Sequence, residues 1–167
     1  MHTGLYVIMG VSGAGKSLIG AQLARELDIA FVEGDDLHPP ENVTRMAAGI
    51  ALTDDDRHGW LIAIATRLRA AKRAGVGLVV SCSALKRSYR DLLRSAGDAD
   101  VRFVYLAGGR ALLAERLANR RGHFMPPSLL DSQLSILEAP APDERVWVCD
   151  IREAPDAIVA DLVRRAA

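Results

Sequence analysis

Short apolar segments alternate along the chain with longer segments in which apolar residues recur every three or four positions. The short segments predict strands at Leu5–Met9, Ala30–Glu33, Gly77–Cys82, Val101–Leu106 and Arg145–Cys149. The longer segments predict helices at Ser17–Leu27, Pro40–Ala48, Asp54–Ala74, Leu85–Ser95, Arg110–Arg121, Ser128–Glu138 and Pro155–Arg165. This alternation predicts βαβ units and a parallel sheet covered by helices on both faces. No repeat or linker interrupts it, so a single α/β domain over residues 1–167 is expected.

Composition and charge narrow the class of protein. Half of the 167 residues are hydrophobic and a quarter are charged, as in ordinary globular proteins. Lys plus Arg number 21 and Asp plus Glu also number 21, so the chain has no basic excess with which to bind nucleic acid. Aromatic residues are only 5%, which leaves few surfaces for stacking on bases. We therefore expect no nucleic-acid partner.

Two cysteines, Cys82 and Cys149, each stand at the end of an apolar segment. They are too few for a disulfide framework and are expected to be small buried hydrophobic residues. The N-terminal apolar segment is too short for a signal peptide, and no segment approaches the ~20 residues of a membrane span. A cytoplasmic protein without a membrane partner is expected.

The segment between the first strand and the first helix fits the pattern G-x-x-x-x-G-K-[ST], the P-loop. Its glycines allow successive backbone N–H groups to point at phosphate oxygens. Lys16 supplies a cation for the terminal phosphates, and the hydroxyl of Ser17 is a ligand for Mg²⁺. The preceding strand and the following helix are the context that this motif requires, so a nucleotide phosphate site is predicted.

Many P-loop proteins also have a strand that ends in an aspartate, which helps to hold Mg²⁺. The third predicted strand ends in Ser81 and Cys82 instead, and Asp150 ends the last strand, which is not expected beside the P-loop. The second strand ends in Glu33, followed by Asp35 and Asp36. Carboxylates there favour a kinase of a small molecule or nucleotide over a GTPase or a motor protein.

Three segments after strands or on loops are candidates for the acceptor site. Asp35 follows the second strand and is a candidate to accept a hydroxyl proton, unless this segment is merely a helix-capping turn. The acidic residues 54–56 are interpreted mainly as the solvated start of a helix. Arg57 opposes the helix dipole there, which suggests a bound anion or a carboxylate partner. Lys86 and Arg90 lie four residues apart in a predicted helix and indicate anion recognition, with solvated surface charge as the alternative.

A further candidate segment begins with Arg116 and Arg120 and runs through residues 122–127. Arginines at a helix end commonly bind free carbonyls, which is one interpretation. The other is a mobile lid, approximately residues 116–130, that brings positive charge to the transferring phosphoryl group. His123 has no partner at metal-ligand spacing, so no metal role is expected for it.

The chain resembles the gluconokinases, a family of P-loop small-molecule kinases related to shikimate kinase. The resemblance runs nearly end to end. It is carried by residues 9–17, 34–39, 42–46, 49, 52–57, 60–61, 82–86, 89–93, 122–126, 132–133 and 137–138. The P-loop alone indicates only a kinase. The segment Gly34–Pro39, the segment Leu52–Arg57 and the segment Cys82–Arg90 make the resemblance specific.

The resemblance implies transfer of the ATP γ-phosphate to the terminal hydroxyl of D-gluconate, which gives 6-phosphogluconate. It also implies Mg²⁺, a three-layer α/β/α fold with strand order 2-3-1-4-5, a mobile lid and a homodimer. The implied ATP-binding residues are Gly10, Val11, Ser12, Gly13, Ala14, Gly15, Lys16, Ser17, Arg116 and Arg120. The implied substrate-binding residues are Asp35, His38, Arg57, Lys86, Arg90 and His123. Lys16, Asp35 and Arg120 are the expected catalytic groups, and Ser17 is the expected metal ligand. Glu33 is expected to contact the ligands of the metal rather than the metal itself.

The chain departs from the family pattern at Arg45, Ala51 and Gly59, which flank the expected acceptor site, so the choice among sugar acids stays open. Two alternatives to a gluconokinase also stay open. One is a kinase of another hydroxy acid or polyol. The other is a nucleotide-binding protein without turnover.

Overall fold

The computed structural model describes residues 1–96, 100–120 and 127–167 of the chain. Its strands are β1 (Leu5–Met9), β2 (Ala30–Glu33), β3 (Leu78–Ser81), β4 (Val101–Ala107) and β5 (Trp147–Asp150). Its helices are α1 (Lys16–Leu27), α2 (Pro40–Ala47), α3 (Asp54–Ala74), α4 (Arg87–Ala96), α5 (Arg110–Ala118), α6 (Pro127–Ile136) and α7 (Pro155–Ala166). Short 3-10 turns occupy Gly34–Leu37 and Pro142–Glu144.

The strands form one parallel sheet with the order β2-β3-β1-β4-β5. Strand β1 is central, and all five of its residues are buried because helices cover both faces. Side chains of α3 and α4, such as Leu68 and Leu93, form the core on one face. Side chains of α1 and α7, such as Leu23 and Leu162, form the core on the other face. The predicted fold class and strand order are confirmed.

The carboxyl ends of the parallel strands lie along one edge of the sheet, which is where open α/β sheets bind ligands. The P-loop follows β1 there, and the 3-10 turn Gly34–Leu37 follows β2. The connection from β3 to α4 also starts at this edge. The topology therefore brings all the candidate segments after β1, β2 and β3 together.

Some element boundaries differ from the predicted ones for local reasons. Helix α4 begins at Arg87 rather than Leu85, and the connection before it contains Ala84, whose φ is 46°. Strand β5 begins at Trp147 rather than Arg145, whose φ is 54°. Cys82 and Cys149 are buried and unpaired, as predicted, and burial raises the pKa of the Cys82 thiol to about 12.

Within the described ranges, every helix is too short or too polar to cross a lipid bilayer. The expected lid, residues 116–130, lies partly outside the described residues. His123 lies wholly outside them.

Candidate active site

The P-loop forms the wall of a cavity of about 530 Å³ at the carboxyl edge of the sheet. Gly15 has a φ of +96°, and a Cβ placed on it would meet no atom within 4 Å, so its backbone faces open space. Helix α1 starts at the next residue and directs its free N–H groups and the positive end of its dipole at this space. The described P-loop residues that line the cavity are Ser12, Gly13, Gly15, Lys16 and Ser17.

The remaining P-loop residues hold the loop in place. The N–H of Gly10 donates to the carbonyl of Ser83, and the N–H of Ala14 donates to the carbonyl of Val11. Val11 and Ala14 are buried in the core beneath the loop. The predicted nucleotide-binding segment therefore divides into residues that face the cavity and residues that support them.

Lys16 lies between the nucleotide cavity and a second, narrower recess, and lines both. Its Nζ donates to the carbonyl of Val11 at 3.0 Å. Burial lowers the pKa of the ammonium group, while the nearby Asp35 carboxylate opposes that shift. A phosphate placed in the cavity would compensate the same buried charge, so the site is electrostatically suited to an anion.

Glu33, at the end of β2, accepts hydrogen bonds from two serine hydroxyls. The Oγ of Ser17 donates to one carboxylate oxygen, and the Oγ of Ser81 donates to the other at 2.5 Å. Strand β3 ends in a serine and so supplies no aspartate beside the P-loop hydroxyl. Glu33, from the end of β2, lies beside that hydroxyl instead. A hydroxyl and a carboxylate at the rim of a phosphate cavity are oxygen donors of the kind that Mg²⁺ prefers.

Asp35 is placed by an unusually close approach of two backbones. A Cβ on Gly34 would lie 1.9 Å from the carbonyl oxygen of Ser81, so only glycine fits at the start of the 3-10 turn. Asp35 follows directly, with a side chain that is 70% exposed. It lines both the nucleotide cavity and the recess, as Lys16 and Ser12 do. A carboxylate at this boundary can reach a group that receives a phosphoryl from the nucleotide side.

The recess is lined by both polar and apolar residues, and its volume in this structure is about 50 Å³. Arg57, from the first turn of α3, is only 8% exposed, and its Nη1 donates to the hydroxyl of Tyr89 at 3.1 Å. A buried guanidinium that faces a recess from a helix N-terminus is suited to a carboxylate ligand. His38 lines the recess as well and stacks on Trp60 with ring centroids 4.1 Å apart.

The acidic run before Arg57 is the first turn of α3, as predicted. Thr53 and Asp56 form a capping box, in which the Thr53 side chain accepts from the Asp56 N–H and the Asp56 side chain accepts from the Thr53 N–H. Asp54 accepts a hydrogen bond from the Tyr89 hydroxyl, which lowers the pKa of its carboxyl. The first turn of α3 is thereby attached to α4.

The structure does not place Lys86 and Arg90 together on one exposed helix face. Lys86 precedes α4, is not among the residues that line the recess, and its Nζ donates to Asp54 at 3.0 Å. Arg90 is fully buried. Its guanidinium donates to Glu144 at 2.7 and 3.1 Å and to the carbonyls of Ala84 and Leu85 at 2.9 and 3.2 Å. These partners give Arg90 a structural role in this structure.

Arg116 and Arg120 both line the nucleotide cavity. Arg116 also donates to the carbonyl of Ile151, which follows β5, at 2.6 Å. Arg120 lies close enough to Lys16 to lower the pKa of that lysine. Arg120 is therefore near the place where the terminal phosphates are expected.

Sequence reasoning missed a contact between α6 and the P-loop. The side-chain oxygen of Gln133 accepts a hydrogen bond from the N–H of Ser12 at 2.8 Å. Leu129, Ser132 and Gln133 of α6 form one wall of the recess. A glutamine within a helix has no distinctive spacing, and the family resemblance at residues 132 and 133 marked the position without indicating this contact.

The parallel sheet, the phosphate cavity at its carboxyl edge and the adjoining polar recess together define a P-loop kinase fold. The AAA domain family, one of the P-loop families, matches residues 5–140 of the chain.

Comparison with individual proteins gives a narrower assignment. A gluconokinase of Gluconobacter oxydans is 48% identical over 158 residues, which cover 95% of this chain and 88% of that protein. The thermoresistant gluconokinase of Escherichia coli is 42% identical over 160 residues, with 95% and 91% covered. The crystal structure of a gluconokinase from Sinorhizobium meliloti has 48% identity and a TM-score of 0.89, with 99% of this chain and 94% of that one covered. This chain belongs to the gluconokinase family.

Proposed function

We propose that this protein transfers the γ-phosphoryl group of ATP to the terminal hydroxyl of D-gluconate and so produces 6-phosphogluconate. The observation that carries the proposal is the boundary between the two cavities. Lys16 and Asp35 line both the phosphate cavity and a recess that contains the buried cation Arg57. A phosphoryl donor and an anionic acceptor would therefore lie on the two sides of one lysine and one carboxylate. The relatives named gluconokinase support this choice of acceptor.

On the nucleotide side, the N–H groups of the P-loop and of the first turn of α1 bind the phosphates. Lys16 compensates the charge that develops on the transferred group, and Arg120 approaches it from the end of α5. The hydroxyl of Ser17 and the carboxylate of Glu33 fit a magnesium ion that accompanies the nucleotide. When bound, such an ion neutralises phosphate charge and orients the phosphoryl group for in-line transfer.

On the acceptor side, Arg57 binds the carboxylate of the sugar acid with the N–H groups that Tyr89 leaves available. Asp35 orients the terminal hydroxyl toward the γ-phosphate and accepts its proton. Phosphoryl transfer has a loose transition state, so the orientation contributes as much as the proton removal. His38 contacts the hydroxyl groups of the chain from the wall of the recess.

We propose that the recess, which has a volume of about 50 Å³ in this structure, widens when a six-carbon acid enters. Helix α6 is the wall that we propose moves, together with a lid over residues 116–130 that includes His123. The hydrogen bond from Ser12 to Gln133 holds α6 near the P-loop in this structure. Closure over both substrates excludes water, which otherwise competes as the phosphoryl acceptor.

We also propose that residues 1–167 form one kinase domain and that the protein is a cytoplasmic homodimer. The two buried, unpaired cysteines are compatible with a reducing compartment. The homodimer rests on the resemblance to the family. Sedimentation of the pure protein measures its mass directly against the 18.0 kDa of one chain.

A coupled assay of ADP release tests the proposal. ATP and Mg²⁺ are supplied with gluconate, with the corresponding uncharged polyol, or with no acceptor. Release that depends on gluconate supports the proposal. If ADP is released only with the polyol or with another hydroxy acid, then that compound, and not gluconate, is the acceptor. Nucleotide binding without release under any condition would make the protein a non-catalytic nucleotide-binding protein.

A further inference from the structure

Asn42 is a buried polar residue in the first turns of α2, and it contacts the site through His38. It is 3% exposed. Its Nδ2 lies 2.7 Å from the carbonyl oxygen of Asp56 and 3.2 Å from Nδ1 of His38. A carbonyl oxygen only accepts hydrogen bonds, so the Asp56 contact identifies this end of the side chain as the NH₂ group. One of its hydrogens is donated to the Asp56 carbonyl, and the other is available to Nδ1 of His38.

It follows that Nδ1 of His38 accepts a hydrogen bond and carries no proton. A neutral imidazole without a proton on Nδ1 has it on Nε2. Burial lowers the pKa of His38; the Asp35 carboxylate opposes this shift and the Arg57 guanidinium adds to it. The ring is therefore neutral near pH 7. Trp60, stacked at 14° to the imidazole, restricts the plane in which Nε2 points.

The protonated Nε2 of His38 faces the carboxylate of Asp35. The distance from Nε2 to Oδ1 is 4.0 Å, too long for a direct hydrogen bond. Both side chains line the acceptor recess. Nε2 is thus a donor and the carboxylate an acceptor, and they lie near each other without a hydrogen bond between them. A hydroxyl group can bond to both, because its oxygen accepts one hydrogen bond and its hydrogen donates another.

We propose that Asn42 is a positioning residue, which fixes the Nε2–H tautomer of His38 so that His38 and Asp35 bind one hydroxyl group of the acceptor between them. The hydroxyl accepts from His38 and donates to Asp35. The identity of the acceptor rests on the proposed function, but the tautomer rests on the contacts of Asn42 alone. With the opposite tautomer, Nε2 and Asp35 would both be acceptors, and the hydroxyl could satisfy only one of them.

The tautomer is measured by ¹⁵N NMR of the imidazole nitrogens in the free protein. The His38 signals are assigned among those of the four histidines by their loss in His38→Gln. We expect a protonated Nε2 and an unprotonated Nδ1 at neutral pH. Protonation on Nδ1 in the wild type would overturn the inference without any further variant. Because this measurement needs no substrate, it is independent of whether gluconate is the acceptor.

Asn42→Asp replaces the donor by an acceptor while nearly preserving shape. It should move the His38 proton from Nε2 to Nδ1, which leaves Nε2 without a hydrogen to donate. The kcat/KM for gluconate should then fall about ten- to a hundredfold, with the KM for ATP unchanged, because a hydrogen bond in the recess is lost. In a His38→Gln background, whose amide keeps an N–H near the Nε2 position, the same substitution should have little further effect.

Arg45→Ala is the matched control, because Arg45 also joins α2 to Asp56, at 2.9 Å, without contacting His38. It loosens the same helix contact and should leave the tautomer unchanged and kcat/KM within about twofold, as for other exposed ion pairs. An equal loss in Arg45→Ala and Asn42→Asp would overturn the inference, since it would show that α2 acts only through its attachment to α3. An unchanged imidazole spectrum in Asn42→Asp would overturn it as well.

Discussion

Arg90 and Glu144 form an ion pair in the interior of the protein, with side chains that are 0% and 1% exposed. The pair joins α4 to the turn before β5, and the remaining N–H groups of Arg90 bind the carbonyls of Ala84 and Leu85. Those carbonyls belong to the connection that follows β3, and the adjoining Ser83 accepts a hydrogen bond from the P-loop residue Gly10. The ion pair therefore stabilises the connection after β3, to which the P-loop is hydrogen-bonded.

Arg90→Ala should destabilise the fold rather than weaken acceptor binding selectively. It leaves the buried Glu144 carboxylate without its main partner, which typically costs about 3–5 kcal/mol in unfolding free energy. Chemical denaturation of the variant measures this cost. Arg110→Ala removes a two-contact ion pair with Asp131 on the surface and should change the unfolding free energy little. Equal stability of the two variants would contradict the structural role of Arg90.

The same ion pair predicts a pH dependence of stability. Burial by itself raises the pKa of the Glu144 carboxyl, but hydrogen bonds from Arg90, the Ala141 N–H and Arg94 together lower it to about 2. A carboxyl whose pKa is lower in the folded than in the unfolded protein stabilises the fold fully above the unfolded value, about 4.3. This stabilisation is lost as the pH falls from there toward 2.

Denaturation of the wild type and of Glu144→Gln at several pH values tests the dependence. The wild type should be the more stable protein at neutral pH, and the difference should shrink as the pH falls below about 4. A difference that stays constant down to about pH 3 would show that the Glu144 charge does not contribute.

Arg57→Ala should raise the KM for gluconate about ten- to a hundredfold and leave the KM for ATP nearly unchanged, because one charge-assisted contact to the carboxylate is lost. The corresponding uncharged polyol should be a poor substrate of the wild type and lose little more in the variant. Tyr89→Phe, which removes only the hydroxyl that Arg57 contacts, should have a smaller effect. Equal losses for gluconate and the polyol would contradict carboxylate binding by Arg57.

Asp35→Asn preserves shape and removes charge, so kcat should fall by roughly 10²–10⁴ if proton acceptance and orientation are lost together. ATP affinity should change little. Asp36→Asn is the matched control, since Asp36 is the next residue and lines the nucleotide cavity but is not among the residues of the recess. A variant of Asp35 that loses ATP binding and retains acceptor handling would assign this carboxylate to the metal instead.

The fold could be predicted largely from local patterns. The apolar run of β1, the P-loop and the start of α1 are consecutive in the chain, so one segment specifies strand, phosphate site and helix together. The long helix α3 has the predicted bounds, because an acidic residue and Gly75 mark its two ends in the sequence. Asp54 was expected to be the cap, but the N-cap is Thr53, one residue earlier. These features depend on neighbours in sequence.

The roles of individual cations could not be predicted in the same way. Arg57 and Arg90 both stand near helix starts, but Arg57 lines the recess while Arg90 meets Glu144, which is 54 residues away in sequence. Whether a cation binds a ligand or an internal carboxylate depends on long-range packing. The contact of Gln133 with Ser12 spans 121 residues and escaped prediction for the same reason.

The most direct test of the account is to identify the product of the reaction with gluconate by ³¹P NMR correlated to protons. The account predicts a phosphate monoester whose phosphorus couples to the two methylene protons at C6, formed only with both ATP and gluconate. Lys16→Ala should fold normally and lose most of this product, because Lys16 compensates charge on the transferred group. The absence of an acceptor-dependent monoester, or a phosphorus that couples to a single methine proton, would contradict the account.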